Sequence, residues 1–215
     1  MPSLDVLAHV LRPATGEPAG ALVLMHGRGT SEHDLAGLVD VFDPRGRLVG
    51  ACPRGPLQLP PGGFHWYVVP RVGFPHPETF LASFAALDEW LRALVEETGV
   101  PAERTILGGF SQGTVMAWAL ALGPDRPRPA GILHMSGFIP TVPGFELHFE
   151  RLDGLPVAIA HGSLDPVIGV EFARDACKRA EAAGADVLYR ETPAPHTIDP
   201  RVVGDLVDWV QARAA

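Results

Sequence analysis

The stretch Gly108-Gly109-Phe110-Ser111-Gln112-Gly113 constrains this chain more than any other. An apolar run, Thr105-Ile106-Leu107, leads into it, and a helix-like run from Thr114 to Leu120 leads out. A strand and a helix therefore meet at a turn with a serine at its vertex. Where two backbones pass that closely, side chains flanking the serine would collide, so the glycines at 109 and 113 have a steric task. The bare pattern G-x-S-x-G is weak: with 24 glycines and six serines, roughly one chain in ten of this composition carries it by chance. Its setting between a strand and a helix gives it weight. The bland alternative is a serine capping a helix after a tight turn.

The rest of the chain alternates strands and helices. Val6–Leu11 reads as an edge strand, and Ala21–Met25 as a buried one leading into His26-Gly27-Arg28-Gly29. Ser31 then caps a helix over about Glu32–Phe42. Leu48–Cys52 is the next strand. A loop rich in proline and glycine, Pro53–Pro77, is too long for a connector and is expected to serve a site. Phe80, Phe84, Leu87, Leu91 and Leu94 mark one face of a helix from Pro77 to Thr98. After the 108–113 turn come strands at 130–135, 156–160 and 187–190 and helices at 168–183 and 199–212. Such alternation predicts an α/β protein, with a mostly parallel sheet and helices on both faces. With no repeat or composition break, residues 1–215 read as one domain. Ligands of such sheets sit outside the carboxyl ends of the strands. His26–Gly29, Ser111, Asp165 and His196 each follow a strand.

Composition excludes several classes. A net charge of −8 argues against a general nucleic-acid binder. No apolar run is long enough to span a bilayer, so no stable membrane insertion is expected. Met1–Asp5 shows no secretory pattern. Cys52 and Cys177 make no disulfide framework, and a reduced cytoplasm is the simplest location. No metal motif, P-loop or dinucleotide fingerprint is present, so no metal or cofactor is expected.

A serine hydroxyl needs a base to take its proton, and the base needs an orienting carboxylate. Of the nine histidines, only His196 follows both Ser111 and Asp165, which gives the chain order serine, aspartate, histidine. Asp153 and Asp199 are weaker alternatives for the acid; Asp199 reads as a helix cap. Asp165, ahead of Pro166, also has a bland reading as a turn aspartate. An oxyanion needs two backbone amides, and the candidates are Gln112, after the serine, and Arg28, after His26-Gly27; the favoured reading of Arg28 has its side chain pointing to solvent, with only its amide in play. Trp66 and Tyr67 are candidates to line an acyl or alcohol pocket, with Phe138, Phe145 and Phe149 as its other wall. Equally, these aromatics pin irregular loops to the core.

Several segments together resemble the phospholipase/carboxylesterase family of α/β-hydrolases, which includes the acyl-protein thioesterases. They are His26-Gly27-Arg28-Gly29, Pro53-Arg54-Gly55-Pro56 with Gly63–Tyr67, Gly109-Phe110-Ser111-Gln112-Gly113, His161-Gly162-Ser163-Leu164-Asp165-Pro166-Val167, and His196. The resemblance implies the α/β-hydrolase fold, and a chain of 215 residues leaves little room for a large cap domain. The resemblance also implies Ser111 as nucleophile, His196 as base, Asp165 as acid, amides of Arg28 and Gln112 as oxyanion donors, and substrate contacts by the Trp66 loop. Two positions depart from the pattern. Pro195 stands where the family often has glycine, and Arg28 where the thioesterases often have leucine. The expectation is a serine carboxylesterase for small to medium esters, its partner a small-molecule ester. Acyl-protein thioesterase, lysophospholipase and a non-catalytic ligand-binding protein on the same scaffold are the alternatives. A homodimer is expected only if an apolar face is exposed.

Overall fold

The computed structural model describes residues 3–214; Met1 and Pro2 of the N-terminal reading, and Ala215, lie outside the described residues. Seven strands form the main sheet, in the order β1-β3-β2-β6-β7-β8-β9. They are β1 His9–Arg12, β2 Gly20–Met25, β3 Leu48–Pro53, β6 Thr105–Phe110, β7 Gly131–Met135, β8 Pro156–Gly162 and β9 Asp186–Thr192. Only β1, at an edge, runs antiparallel to its neighbour. The helices are α1 Ala36–Phe42, α2 Pro77–Thr98, α3 Gln112–Leu122, α4 Val170–Ala182 and α5 Pro200–Gln211. α2, α3 and α4 pack on one face of the sheet, α1 and α5 on the other. This is the α/β-hydrolase arrangement, without a large cap.

The strand order reverses between β2 and β6. From β2 the chain moves to β3 on one side, then returns to β6 on the other. At such a switch point the loops leaving two central strands part and open a crevice. His26–Gly29 and Ser111 are those loops.

α3 is apolar all round and buried along its whole length, as befits a helix held between the sheet and α2. α2 follows its sequence pattern: Phe80, Leu87, Leu91 and Leu94 are buried, together with Ser83, Trp90 and Ala93. Two expectations shift. The helix placed at Glu32 starts at Ala36, with Leu35 as its cap. Glu32 is drawn to Arg54 and Asp34 to the Thr30 hydroxyl, so both side chains serve a turn ahead of the helix. The first strand starts at His9, because Leu4–Val6 form a 3-10 turn capped by the Ser3 hydroxyl. The 53–77 loop contains an unforeseen hairpin, β4 Leu57–Gln58 against β5 Phe64–His65. No helix among the described residues is long and apolar enough to cross a membrane.

Candidate active site

Ser111 stands between β6 and α3 with φ 55° and ψ −116°, a strained conformation for a residue with a side chain. Its surroundings leave no alternative. A Cβ at Gly109 would sit 2.7 Å from the Met25 carbonyl oxygen, and one at Gly113 would land on that same oxygen. The Ser111 amide donates to the Met135 carbonyl at 2.9 Å, which ties the turn to β7.

Three side chains from three loops form a hydrogen-bonded series here. His196 Nε2 lies 3.0 Å from Ser111 Oγ, and His196 Nδ1 lies 2.6 Å from Asp165 Oδ2. A carboxylate only accepts, so Nδ1 carries the proton and Nε2 offers its lone pair to the serine hydroxyl. The imidazole packs against Phe110, ring centroids 4.8 Å apart. Asp165 fills both roles that its sequence context allows. Its Oδ1 accepts the Val167 and Ile168 amides at 2.8 and 2.9 Å, closing the turn after Pro166, while Oδ2 faces His196. Pro195 precedes His196, and its carbonyl accepts the Thr197 amide at 2.8 Å. Asp199 lies apart, capping α5 and pairing with Arg201, which holds its carboxyl below the usual range.

His161 lies beneath Asp165. Its Nε2 donates to the Ile168 carbonyl at 2.8 Å and is 3.4 Å from Asp165 Oδ2. Burial pushes its pKa down, so it supports the carboxylate turn as a neutral ring.

Among the described residues the Arg28 and Gln112 amides donate to no protein acceptor. Arg28 follows Gly27, where a Cβ would press the Phe110 ring at 3.1 Å. Two residues inside the segments that resemble the family brace this geometry with their side chains, a role the sequence pattern does not assign to them. His26, lowered in pKa by burial, donates Nδ1–H to the Gly27 carbonyl at 2.6 Å and accepts the Gly55 amide on Nε2 at 2.9 Å. The Gln112 side chain accepts the Trp66 amide at 3.0 Å and donates to the Tyr67 carbonyl at 2.9 Å, clamping the 53–77 excursion to the turn.

A cavity of about 520 Å³ opens beside Ser111, lined by Arg28, Leu59, His65, Tyr67, Gln112, Phe138 and the side chains of Val68, Val69, Val72, Val167 and Ile168. Tyr67 and Phe138 thus line the cavity beside Ser111. Trp66 does not, and this expectation is corrected. It is wholly buried, its indole N–H donating to the His26 carbonyl at 2.9 Å, so it braces the loop. Phe145 packs on Phe80 and Phe84, and Phe149 lies under Arg179, so both pin loops. No group of three or more histidine, cysteine or acidic side chains placed to hold a metal ion occurs among the described residues.

A serine hydroxyl hydrogen-bonded to a carboxylate-held imidazole, beside two unengaged amides and an apolar cavity, is the equipment of acyl transfer. Residues 8–213 match the model of the Phospholipase/Carboxylesterase family. The chain belongs to that family. Its similarity to individual members is distant. It is 24% identical to an acyl-protein thioesterase 1 of Candida albicans, over 93% of this chain and 94% of that one. A crystal structure of esterase PE8 superposes with a TM-score of 0.80 at 26% identity, covering 96% of this chain and 98% of that one. The carboxylesterase of Bacillus cereus gives a TM-score of 0.82 at 21% identity, covering 96% and 94%. The chain is therefore a hydrolase of an esterase and thioesterase family.

Proposed function

We propose that this protein is a serine carboxylesterase acting on small to medium carboxylic esters through an acyl-enzyme. The carrying observation is the series Asp165–His196–Ser111, at 2.6 and 3.0 Å, at the mouth of an apolar cavity. Ser111 Oγ attacks the ester carbonyl as its proton passes to His196 Nε2. Asp165 steadies the imidazolium. The oxyanion rests on the Arg28 and Gln112 amides, each such donor being worth about 3–4 kcal/mol in the transition state. His196 then protonates the departing alcohol, and water activated by the same ring releases the acid. Val68, Val69, Val72 and Phe138 offer an acyl chain an apolar wall.

Hydrolysis of p-nitrophenyl esters from acetate to palmitate, with Ser111→Ala as control, tests this. Activity is expected to peak at short to medium chains. The variant should lose on the order of 10⁴-fold or more in kcat while keeping its thermal midpoint. A pure, folded Ser111→Ala retaining near wild-type turnover would refute the reading. The thioesterase name of the Candida albicans relative favours a second reading, a thioesterase. A peak at palmitate, with thioesters cleaved faster than matched oxygen esters, would replace the first reading with it.

A further inference from the structure

The cavity beside Ser111 is walled mainly by aliphatic and aromatic side chains, and a single formal charge joins them, the Arg28 guanidinium. Arg28 is exposed, and among the described residues it forms no ion pair. The contrast with nearby Arg54 is direct. Arg54 is bound through two nitrogens to Glu32 and lies over the Phe64 ring, 4.4 Å from its centroid. The backbone carrying Arg28 is nonetheless fixed. The Gly29 amide donates to the Phe64 carbonyl at 2.8 Å, and the Phe64 amide to the Thr30 carbonyl at 2.7 Å. A Cβ at Gly63, φ +83°, would strike the Gly29 carbonyl, so the two loops meet backbone to backbone. The positive charge is close enough to His65 to help keep that ring neutral, behind the larger effect of its burial. His65 donates Nδ1–H to the Tyr67 carbonyl at 3.1 Å, and so brings no second cation.

A guanidinium left without a carboxylate, in a protein of net charge −8, at the rim of an otherwise uncharged cavity, is a binding group in want of an anion. Its planar fork suits a carboxylate, and one cation alone matches a monoanion better than a phosphate dianion. We propose that Arg28 selects esters that carry a free carboxylate near the scissile carbonyl. This rests on the ester reading of the Ser111 site and narrows its substrate class. Arg28 presents its amide to the oxyanion and its guanidinium to the substrate body. An arginine side chain spans roughly 6 Å from its own amide, so the carboxylate belongs about three to five bonds from the carbonyl carbon.

Two matched pairs, followed in a pH-stat, test the inference and locate the anion. Monoethyl adipate against ethyl hexanoate places it on the acyl side, and carboxymethyl butyrate against propyl butyrate on the alcohol side. In one pair at least, kcat/KM for the anionic ester should exceed that of its neutral partner about tenfold. Arg28→Leu should bring that ratio to unity or below, Arg28→Lys should keep part of it, and Arg28→Glu should invert it. Ser111-dependent cleavage of the neutral esters with no anionic preference in either pair would overturn the inference and leave the esterase reading intact. A preference that survives Arg28→Leu would also overturn it. Absence of cleavage of all four esters would remove both.

Discussion

The turn at 108–113 and the excursion at 53–77 wall the same cavity and are positioned by different means. The turn is set from within. Its strand and helix approach so closely that Gly109 and Gly113 face the Met25 carbonyl with no room for a side chain, and the strained Ser111 follows. The excursion is set from without. Gln112 holds the Trp66 amide and Tyr67 carbonyl, His26 the Gly55 amide and the Trp66 indole, Ser83 the Trp66 carbonyl, and Thr79 the Val68 amide. Its own regular pairing is limited to a two-residue hairpin. A segment fixed by its own sterics tolerates no substitution at its tight points. One fixed by borrowed hydrogen bonds depends on residues distant in sequence and loosens one bond at a time.

The sharpest break of this comparison is Gly113→Ala. The added methyl would meet backbone atoms of β2, which no rotamer change relieves. A loss of roughly 4 kcal/mol or more is expected, or failure to fold. The excursion has tight points of its own, since a Cβ at Gly55 would sit 2.7 Å from the His65 carbonyl oxygen and one at Gly63 would strike the Gly29 carbonyl, so the counterpart is its open position, Gly62→Ala. Its Cβ would meet nothing within 4 Å, so the change should leave the urea midpoint where it was. Comparable destabilisation by the two alanines would show that the turn is not the rigid member of the pair.

Gln112→Leu probes the link between the two segments. Leucine keeps the backbone amide and most of the volume but orphans the buried Trp66 N–H and takes one of two donors from the Tyr67 carbonyl, which keeps His65. A cost of about 1–2 kcal/mol is expected, chiefly from the one N–H left buried without a partner. The consequence for activity should be larger than for stability, because Leu59, His65, Tyr67, Val68, Val69 and Val72 all reach the cavity from the loosened segment. Urea denaturation and the p-nitrophenyl ester series, measured together, check this. A variant with lowered stability and an unchanged acyl-chain profile would mean that the excursion holds its shape without the clamp.

The same difference explains what could be read from the sequence. The turn was legible because its demand is local: glycine, serine and glycine in one short window between a strand and a helix. The series of Asp165 and His196 with Ser111 was legible from chain order, since the alternation of strands and helices delivers their loops to one edge of the sheet. Within the excursion, local pattern failed. Trp66 carries no mark distinguishing an aromatic that lines a cavity from one that braces it, and its burial is decided by the His26 carbonyl 40 positions away. The α1 start failed for a related reason. Ser31 has the right type for a cap, but Glu32 is claimed by Arg54, which lies 22 positions on.

Acid should separate the two segments more gently. His134 lies under the turn, wholly buried. The Trp118 indole N–H faces its Nδ1 at 3.0 Å, and the Gly137 amide its Nε2 at 3.2 Å. Burial, and behind it the neighbouring His161, push its pKa down to about 3. Because that value lies below the 6.5 of an unhindered imidazole, the unfolded chain takes up a proton first as pH falls. The contribution of His134 to stability is thus complete above about 6.5 and declines steadily on acidification, by about 1.4 kcal/mol per pH unit. His26, on the excursion side, is also lowered by burial and adds to the slope in the same sense. Carboxylates such as Glu32, held below 4.5 by Arg54, start to contribute only in stronger acid. Unfolding free energies measured between pH 7.5 and 5 should therefore fall with acid, and His134→Gln should flatten the line by close to one proton. His26→Gln should flatten it by less than His134→Gln if the borrowed hydrogen bonds of the excursion give way before the core beneath the turn does. Equal flattening would place both histidines in one cooperative unit, and no flattening from His134→Gln would mean that its ring is not held neutral.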